Sequence, residues 1–152
     1  MGGRLARGVT VRSFLLAVAV SLFVGALPAA GAVGGITWTL AGTGTQGDTG
    51  DGGQAREAEI NQPRSIFPTA DGGYVWAEPW SHRVRKVGPD GIVATIAGTG
   101  TAGSGGDGGQ ATAAQLNFVH SASPTADGGY LLADELNNKI RSKETSVSEL
   151  ED

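Results

Sequence analysis

The chain has 152 residues, of which 26 are glycine and none is cysteine, and its formal net charge is −4. That length holds at most one ordinary domain. The missing cysteines exclude a disulfide framework and thiolate metal ligands, and the acidic balance disfavours nucleic acid as a partner.

Residues 1–32 read as a secretory signal peptide. Arg4, Arg7 and Arg12 form a basic start, Phe14 to Leu27 is an uncharged apolar run, and Ala30-Gly31-Ala32 supplies an A-x-A cleavage site, so Val33 opens the mature chain. The run spans 27 − 14 + 1 = 14 residues, short of the roughly 20 that cross a bilayer; a retained anchor is the alternative reading. Without this segment 11 − 3 = 8 basic side chains face 15 acidic ones, a net −7. We expect a secreted or envelope-exposed protein with no stable membrane span.

The mature chain is organised by a repeat. Ala41 to Ala55, AGTGTQGDTGDGGQA, returns as Ala97 to Ala111, AGTGTAGSGGDGGQA, at an offset of 56 that holds without a gap through Arg85/Arg141. Over Ala41–Val87 against Ala97–Lys143, 24 of 47 positions are identical. A repeat of this length means stacked copies of one supersecondary unit.

In chain order, residues 33–61 hold a strand, Ile36–Leu40 (ITWTL), and a Gly-rich loop. The strand matches Ile92–Ile96 (IVATI) at the same offset, so the chain opens on a strand of the type that ends a unit. Residues 62–97 form a complete unit of strands Arg64–Pro68, Tyr74–Glu78, His82–Val87 and Ile92–Ile96. Its turns are Asp71-Gly72-Gly73, Pro79-Trp80-Ser81 and Pro89-Asp90-Gly91. Residues 98–117 repeat the Gly-rich loop and carry a short helical stretch, Gln110–Leu116. Residues 118–142 give only three strands, Val119–Pro124, Tyr130–Asp134 and Asn138–Arg141, the first two joined at Asp127-Gly128-Gly129. Residues 143–152 form an acidic tail without strand alternation, expected to be disordered. The fold class is all-β: a partial β-propeller of about two four-stranded antiparallel blades preceded by a signal helix, where a closed ring takes about four to eight blades.

Glu78 to Val87, EPWSHRVRKV, and Asp134 to Arg141, DELNNKIR, share an acidic residue, a short turn, Asn or His, then a basic and a β-branched residue. This pattern resembles the NHL repeat. The loop Gly98–Asn117 and the strand DGGYLLAD, Asp127–Asp134, look like those of bacterial secreted members of that family. The resemblance reaches to about Lys143. It implies a propeller, commonly six-bladed, that usually serves as a binding platform and only in a minority of members as an enzyme.

Other motifs in the chain have plainer readings. Gly42–Gly47 and Gly98–Gly103 fit G-x-G-x-x-G, but a dinucleotide site needs an immediate helix and a distant acid within a βαβ unit. Asp48–Gly53 has the look of a calcium loop, yet its second copy keeps only Asp107. We therefore expect Asp51 and Asp107, with Gly52-Gly53 and Gly108-Gly109, to bond their own loop amides as Asx turns do. Glu78 with Arg83 or Arg85, and Asp134 with Lys139 or Arg141, are expected to pair across the ladder, at about 0.2–1 kcal/mol per pair. His82 and His120 are the only histidines and nothing in their spacing sets either beside a serine and a carboxylate, so no catalytic residue, metal or cofactor is assigned.

The function these readings favour is a non-catalytic module binding a protein, a small molecule or a glycan. Arg64, Trp80, His82, His120, Asn137 and Asn138, near the loops that join blades or connect second and third strands and so lie at the ring faces, are the candidate contacts. A propeller-type lyase or hydrolase needing a closed ring, a truncated non-functional product, and a homotrimer in which Ile36–Leu40 completes a neighbour's last blade are the alternatives.

Overall fold

The computed structural model describes residues 35–144; the predicted signal segment, with its helix, and residues 145–152 of the predicted tail lie outside the described residues. The chain divides into the units Met1–Ile36 and Thr37–Asp152, and the architecture below is that of the second.

Among the described residues seven short strands form two antiparallel sheets. β1 (Arg64–Pro68), β2 (Tyr74–Glu78), β3 (Arg83–Val87) and β4 (Val93–Ala97) pair in sequential order, and β5 (Val119–Pro124), β6 (Tyr130–Asp134) and β7 (Lys139–Lys143) pair likewise. Hairpin chemistry sets the order. The Thr69 amide donates to the Gly73 carbonyl at 2.9 Å, Asp71 Oδ1 accepts from the Gly73 amide at 3.2 Å, and Gly72 takes the positive φ of 89° that the turn requires. Thr125, Asp127 and Gly129 repeat the arrangement. These are two consecutive blades of a partial β-propeller, the second with three strands among the described residues.

Alternation along β2 gives the sheet two faces. Val75 and Ala77 point toward the second blade and join Val84, Leu116, Val119, Ala122, Tyr130 and Leu132 in one core; Trp76 points the other way, onto Ala55, Ala58, Val87 and Val93. The Gly-rich loops close on themselves with matching bonds. Gly42 N–H donates to Ala55 O and Thr43 N–H to Ala58 O; Gly98 and Thr99 do the same to Ala111 and Ala114. A Cβ at Gly106, where φ is +96°, would lie 2.6 Å from the Ala114 Cα, so loop and short turn press together at glycine. The amides of Gly42, Thr43 and Gly47 are thus already engaged where a dinucleotide site would need free donors, and no α-helix follows.

Several expectations are corrected. Ile36–Leu40 forms no strand among the described residues, because no third strand stands beside it to complete a ladder, and its Ile36, Trp38 and Leu40 are exposed. β3 starts at Arg83, since His82 takes a left-handed conformation (φ 50°) that ends the preceding 3-10 turn. Asn138 does so at φ 54°, and β7 then runs on through Lys143, opposite Tyr130, where a tail was expected from residue 143. β4 is displaced by one residue, to Val93–Ala97. Gln110–Leu116 yields only a 3-10 turn at Ala111–Ala113, after which Ala114 goes extended and lets Ala114 and Leu116 both be buried. The Asx turn at Asp51 and Asp107 is replaced altogether: both carboxylates reach out to arginines, because the buried guanidinium groups of β3 and β7 need acceptors.

Candidate functional site

Each blade is wired by one arginine. Arg85, with a fully buried side chain, donates through Nε to Asp51 Oδ1 at 3.0 Å, through Nη1 to Glu59 O at 2.9 Å and through Nη2 to Thr49 O at 2.9 Å. It also faces the buried Glu78 at 3.5 Å. Arg141 meets the same four partners 56 residues on, with Gln115 O at 2.6 Å, Gly105 O at 3.1 Å, Asp107 at 2.8 Å and Asp134 at 3.4 Å. Glu78 and Arg85, and Asp134 and Arg141, therefore meet as diagonal neighbours, and in the interior rather than on a solvated ladder. Burial pushes the Glu78 carboxyl above its ordinary value, against the bonds from Trp76 and Arg85. On Asp51, burial opposes the charge, but the Thr95 hydrogen bond and the Arg85 guanidinium outweigh it and hold the carboxyl low. These acids are structural: Asp51 accepts from the strand residues Arg85 and Thr95, and Glu78 from the Asn61 amide of the loop and from Trp76 within its own strand.

Asp48 pairs with Arg83 at 2.5 Å as Asp51 pairs with Arg85, so both carboxylates of the calcium-like loop are turned to guanidinium groups. Among the described residues no group of three or more His, Asp or Glu side chains could hold a metal ion.

The other candidates lie at the end of the sheets where β2 turns into β3 and β5 begins. There β5 bulges: Val119 faces Asp134 and Ser121 faces Ala133, which leaves His120 as the extra residue, aimed out of the ladder. β1 carries the matching irregularity after Arg64. The two bulges bring Arg64 and His120 together, Nη1 donating to Nε2 at 3.3 Å. With Nε2 accepting, the imidazole proton is on Nδ1, which donates to Glu135 Oε2 at 2.9 Å. An exposed chain from guanidinium to imidazole to carboxylate results.

Phe118 stands at its centre. The Arg64 guanidinium lies 5.6 Å from its ring centroid, and the half-exposed Trp80 indole meets it edge-on at 4.9 Å. Its amide donates to His82 Nδ1 at 3.2 Å. Phe118 holds φ at 58°, a conformation that bulky side chains rarely adopt and that gathers at functional sites. Four of the six predicted contacts, Arg64, Trp80, His82 and His120, thus form one patch. Asn137 does not belong to it: its Nδ2 donates to Gly103 O at 2.6 Å and Asp134 Oδ2 at 2.8 Å. Asn138 lines, with His120, Glu135 and Ile140, a neighbouring open cleft of about 370 Å³.

Sequence reasoning missed Phe118 and Glu135. Phe118 is the counterpart of Gln62 and Glu135 of Pro79, so the repeat that flagged other positions gave no signal at these. Glu135 is also the carboxylate that spacing alone did not place beside His120; the other ring nitrogen faces Arg64 and not a serine.

No protein-family model matches the chain, and neither does any curated protein sequence. Solved structures do. A Bacteroides thetaiotaomicron protein of unknown function is 28% identical with a TM-score of 0.59 over 67% of this chain and 26% of its own. A candidate phosphatase of the same organism is 25% identical with a TM-score of 0.52 over 68% and 25%. An auxiliary nutrient binding protein, again from that organism, is 22% identical with a TM-score of 0.54 over 69% and 28%, and speaks to the fold alone. The chain spans about a quarter of the length of the solved structures it matches.

Proposed function

We propose that the chain is a non-catalytic, NHL-type binding module working outside the cytoplasm, and that the patch around Phe118 is its contact surface. The observation that carries this reading is the convergence of Arg64, Trp80, His82 and His120 on one left-handed phenylalanine, with Trp80 and Arg64 exposed. Among the described residues no helix is long and apolar enough to cross a membrane.

The chemistry of the patch selects a class of ligand. A half-exposed indole offers a flat apolar platform, and a guanidinium held in place by a ring and an imidazole offers directed donors to an anion. A sugar ring that carries a carboxylate satisfies both, so acidic glycans are the ligands this face fits.

Calorimetric titration with uronic-acid oligosaccharides, with neutral oligosaccharides as the comparison, tests the proposal. Saturable binding of the acidic series is expected, weakened tenfold or more in Trp80→Ala and in Arg64→Ala, with Arg64→Ala erasing the preference for charge. Absence of binding by the unaltered protein, or variants that bind as well as it does, would remove the reading. Turnover of the oligosaccharide would instead favour the enzyme, with Glu135 and His120 as its acid and base.

A further inference from the structure

The first blade shows what the second lacks among the described residues. In the first, β4 lies along β3, Val84 opposite Ala97, Arg85 opposite Thr95 and Val87 opposite Val93. Its far side is stitched to the Gly-rich loop: Gly52 N–H donates to Val93 O at 2.8 Å, Val93 N–H to Gly53 O at 3.0 Å, and Thr95 N–H to Asp51 Oδ2 at 3.0 Å. In the second, β7 pairs with β6 on one side and, among the described residues, with no strand on the other. Between β7 and the loop at Gly106–Thr112 runs an open cleft of about 1170 Å³. All the groups that hold β4 have counterparts there, at Arg141, Asp107, Gly108 and Gly109.

One segment of the chain has the sequence to fill this cleft. Thr37–Ala41 is the counterpart of Val93–Ala97, offset by 56, and among the described residues it pairs with no strand, its Leu40 carbonyl only accepting from the Tyr74 hydroxyl at 3.1 Å. It cannot turn back on its own chain: Gly42 bonds Ala55, and Ala41 packs on the Trp76 face of the first blade, whereas the second blade stands on the opposite, Val75 face. Thr145–Asp152, TSVSELED, lacks a fourth-strand pattern.

The two outer faces match as well. On the second blade Leu131 is 47% and Ile140 74% exposed, while their counterparts Val75 and Val84 are fully buried against the neighbouring blade. On the first blade Ile66 is 63% exposed, and its counterpart Ala122 is buried in that same shared core. One face of the chain is thus a template for what the other face receives.

We infer that copies of this chain join head to tail, Thr37–Ala41 of one copy adding as the fourth strand along β7 of the next, with Leu131 and Ile140 packed toward the Ile66 face of the incoming copy. This supplies the missing ladder bonds and covers an edge that would otherwise invite uncontrolled pairing. The contact is heterologous, so it closes into a ring if the rotation permits. Since a closed propeller takes about four to eight blades, two to four copies suffice. The inference does not depend on the ligand patch.

Thr39 is the counterpart of Thr95, so Thr39→Pro deletes the amide that would bond Asp107 while touching no bonded strand of the isolated chain. Light scattering on the full protein should give about two to four times the monomer mass, and Thr39→Pro and Ile140→Glu should each return it to the monomer with an unchanged far-ultraviolet circular dichroism spectrum. The chain contains no cysteine, so Thr37→Cys protein mixed with Lys143→Cys protein should form a disulfide-linked pair, following the Val93–Val87 register. A monomeric unaltered protein, or assemblies that both variants leave intact, or the absence of the mixed disulfide, would overturn the inference.

Discussion

Arg85 and Arg141 show how much one side chain organises. Each ties two loop carbonyls, one loop aspartate and one strand acid to the third strand of its blade. Arg85 alone also lies against Trp76, 5.9 Å from the indole, and it is sealed from solvent, whereas Arg141 faces Leu132 and its partner Asp107 is open to water. A lysine keeps the charge but not the fork of donors. Arg85→Lys keeps a positive charge near Glu78 but leaves the Thr49 and Glu59 carbonyls short of donors, and is expected to lower stability by about 1–3 kcal/mol. Arg141→Lys should cost clearly less, because solvent replaces part of what is lost. Urea unfolding of the two variants at neutral pH checks this; equal costs would show that the indole and the deeper burial contribute nothing. From sequence, the charge pairs were legible as pairs, since acid and base recur with the repeat. Their burial was not, because it depends on a loop that folds over them from more than thirty residues away.

At the scale of elements, the β1–β2 hairpin is clipped to the third strand by Lys86 Nζ, 2.5 Å from Asp71 Oδ2. The Lys86 bond, helped by Thr69, lowers the Asp71 carboxyl to about 2 from its ordinary 3.8. An acid whose folded pKa is depressed stabilises the fold above the unfolded value and loses that contribution as it takes up its proton. The clip is therefore complete above pH 3.8 and is lost as pH falls toward about 2. Asp71→Asn should flatten the decline of the urea midpoint across that interval without altering its shape above pH 5, and an unchanged acid limb in the variant would refute the assignment. Strands were the most readable elements, because the β-branched and aromatic runs and the DGG turns leave little freedom. The ends were less so. His82 and Asn138 look like strand residues by alternation, and only the geometry of a 3-10 turn that must end in a left-handed residue excludes them.

At the scale of the whole unit, the two blades share a core and so should not unfold independently. Leu116 sits in that core, fully buried, contributed by the loop that joins the blades. Leu116→Ala is expected to cost about 2–5 kcal/mol and to leave a single transition, seen alike by circular dichroism and by tyrosine absorbance; two separate transitions would mean that each blade stands alone. The repeat made this architecture legible, since its offset fixes both the unit and its order. The patch at Phe118 was only half legible, because it exists between unlike copies of the unit, where Phe118 and Glu135 have no look-alikes to announce them.

The three tryptophans fall in three different surroundings: Trp76 is sealed in the first blade, Trp80 edges the Phe118 patch, and Trp38 lies bare on the unpaired segment. The molecule thus carries a separate built-in fluorophore for its interior, for the patch and for the segment that would cross to another copy. With the other two indoles replaced by phenylalanine, the colour of the remaining emission distinguishes loosening of the fold from occupation of the patch and from joining of copies, without any added label.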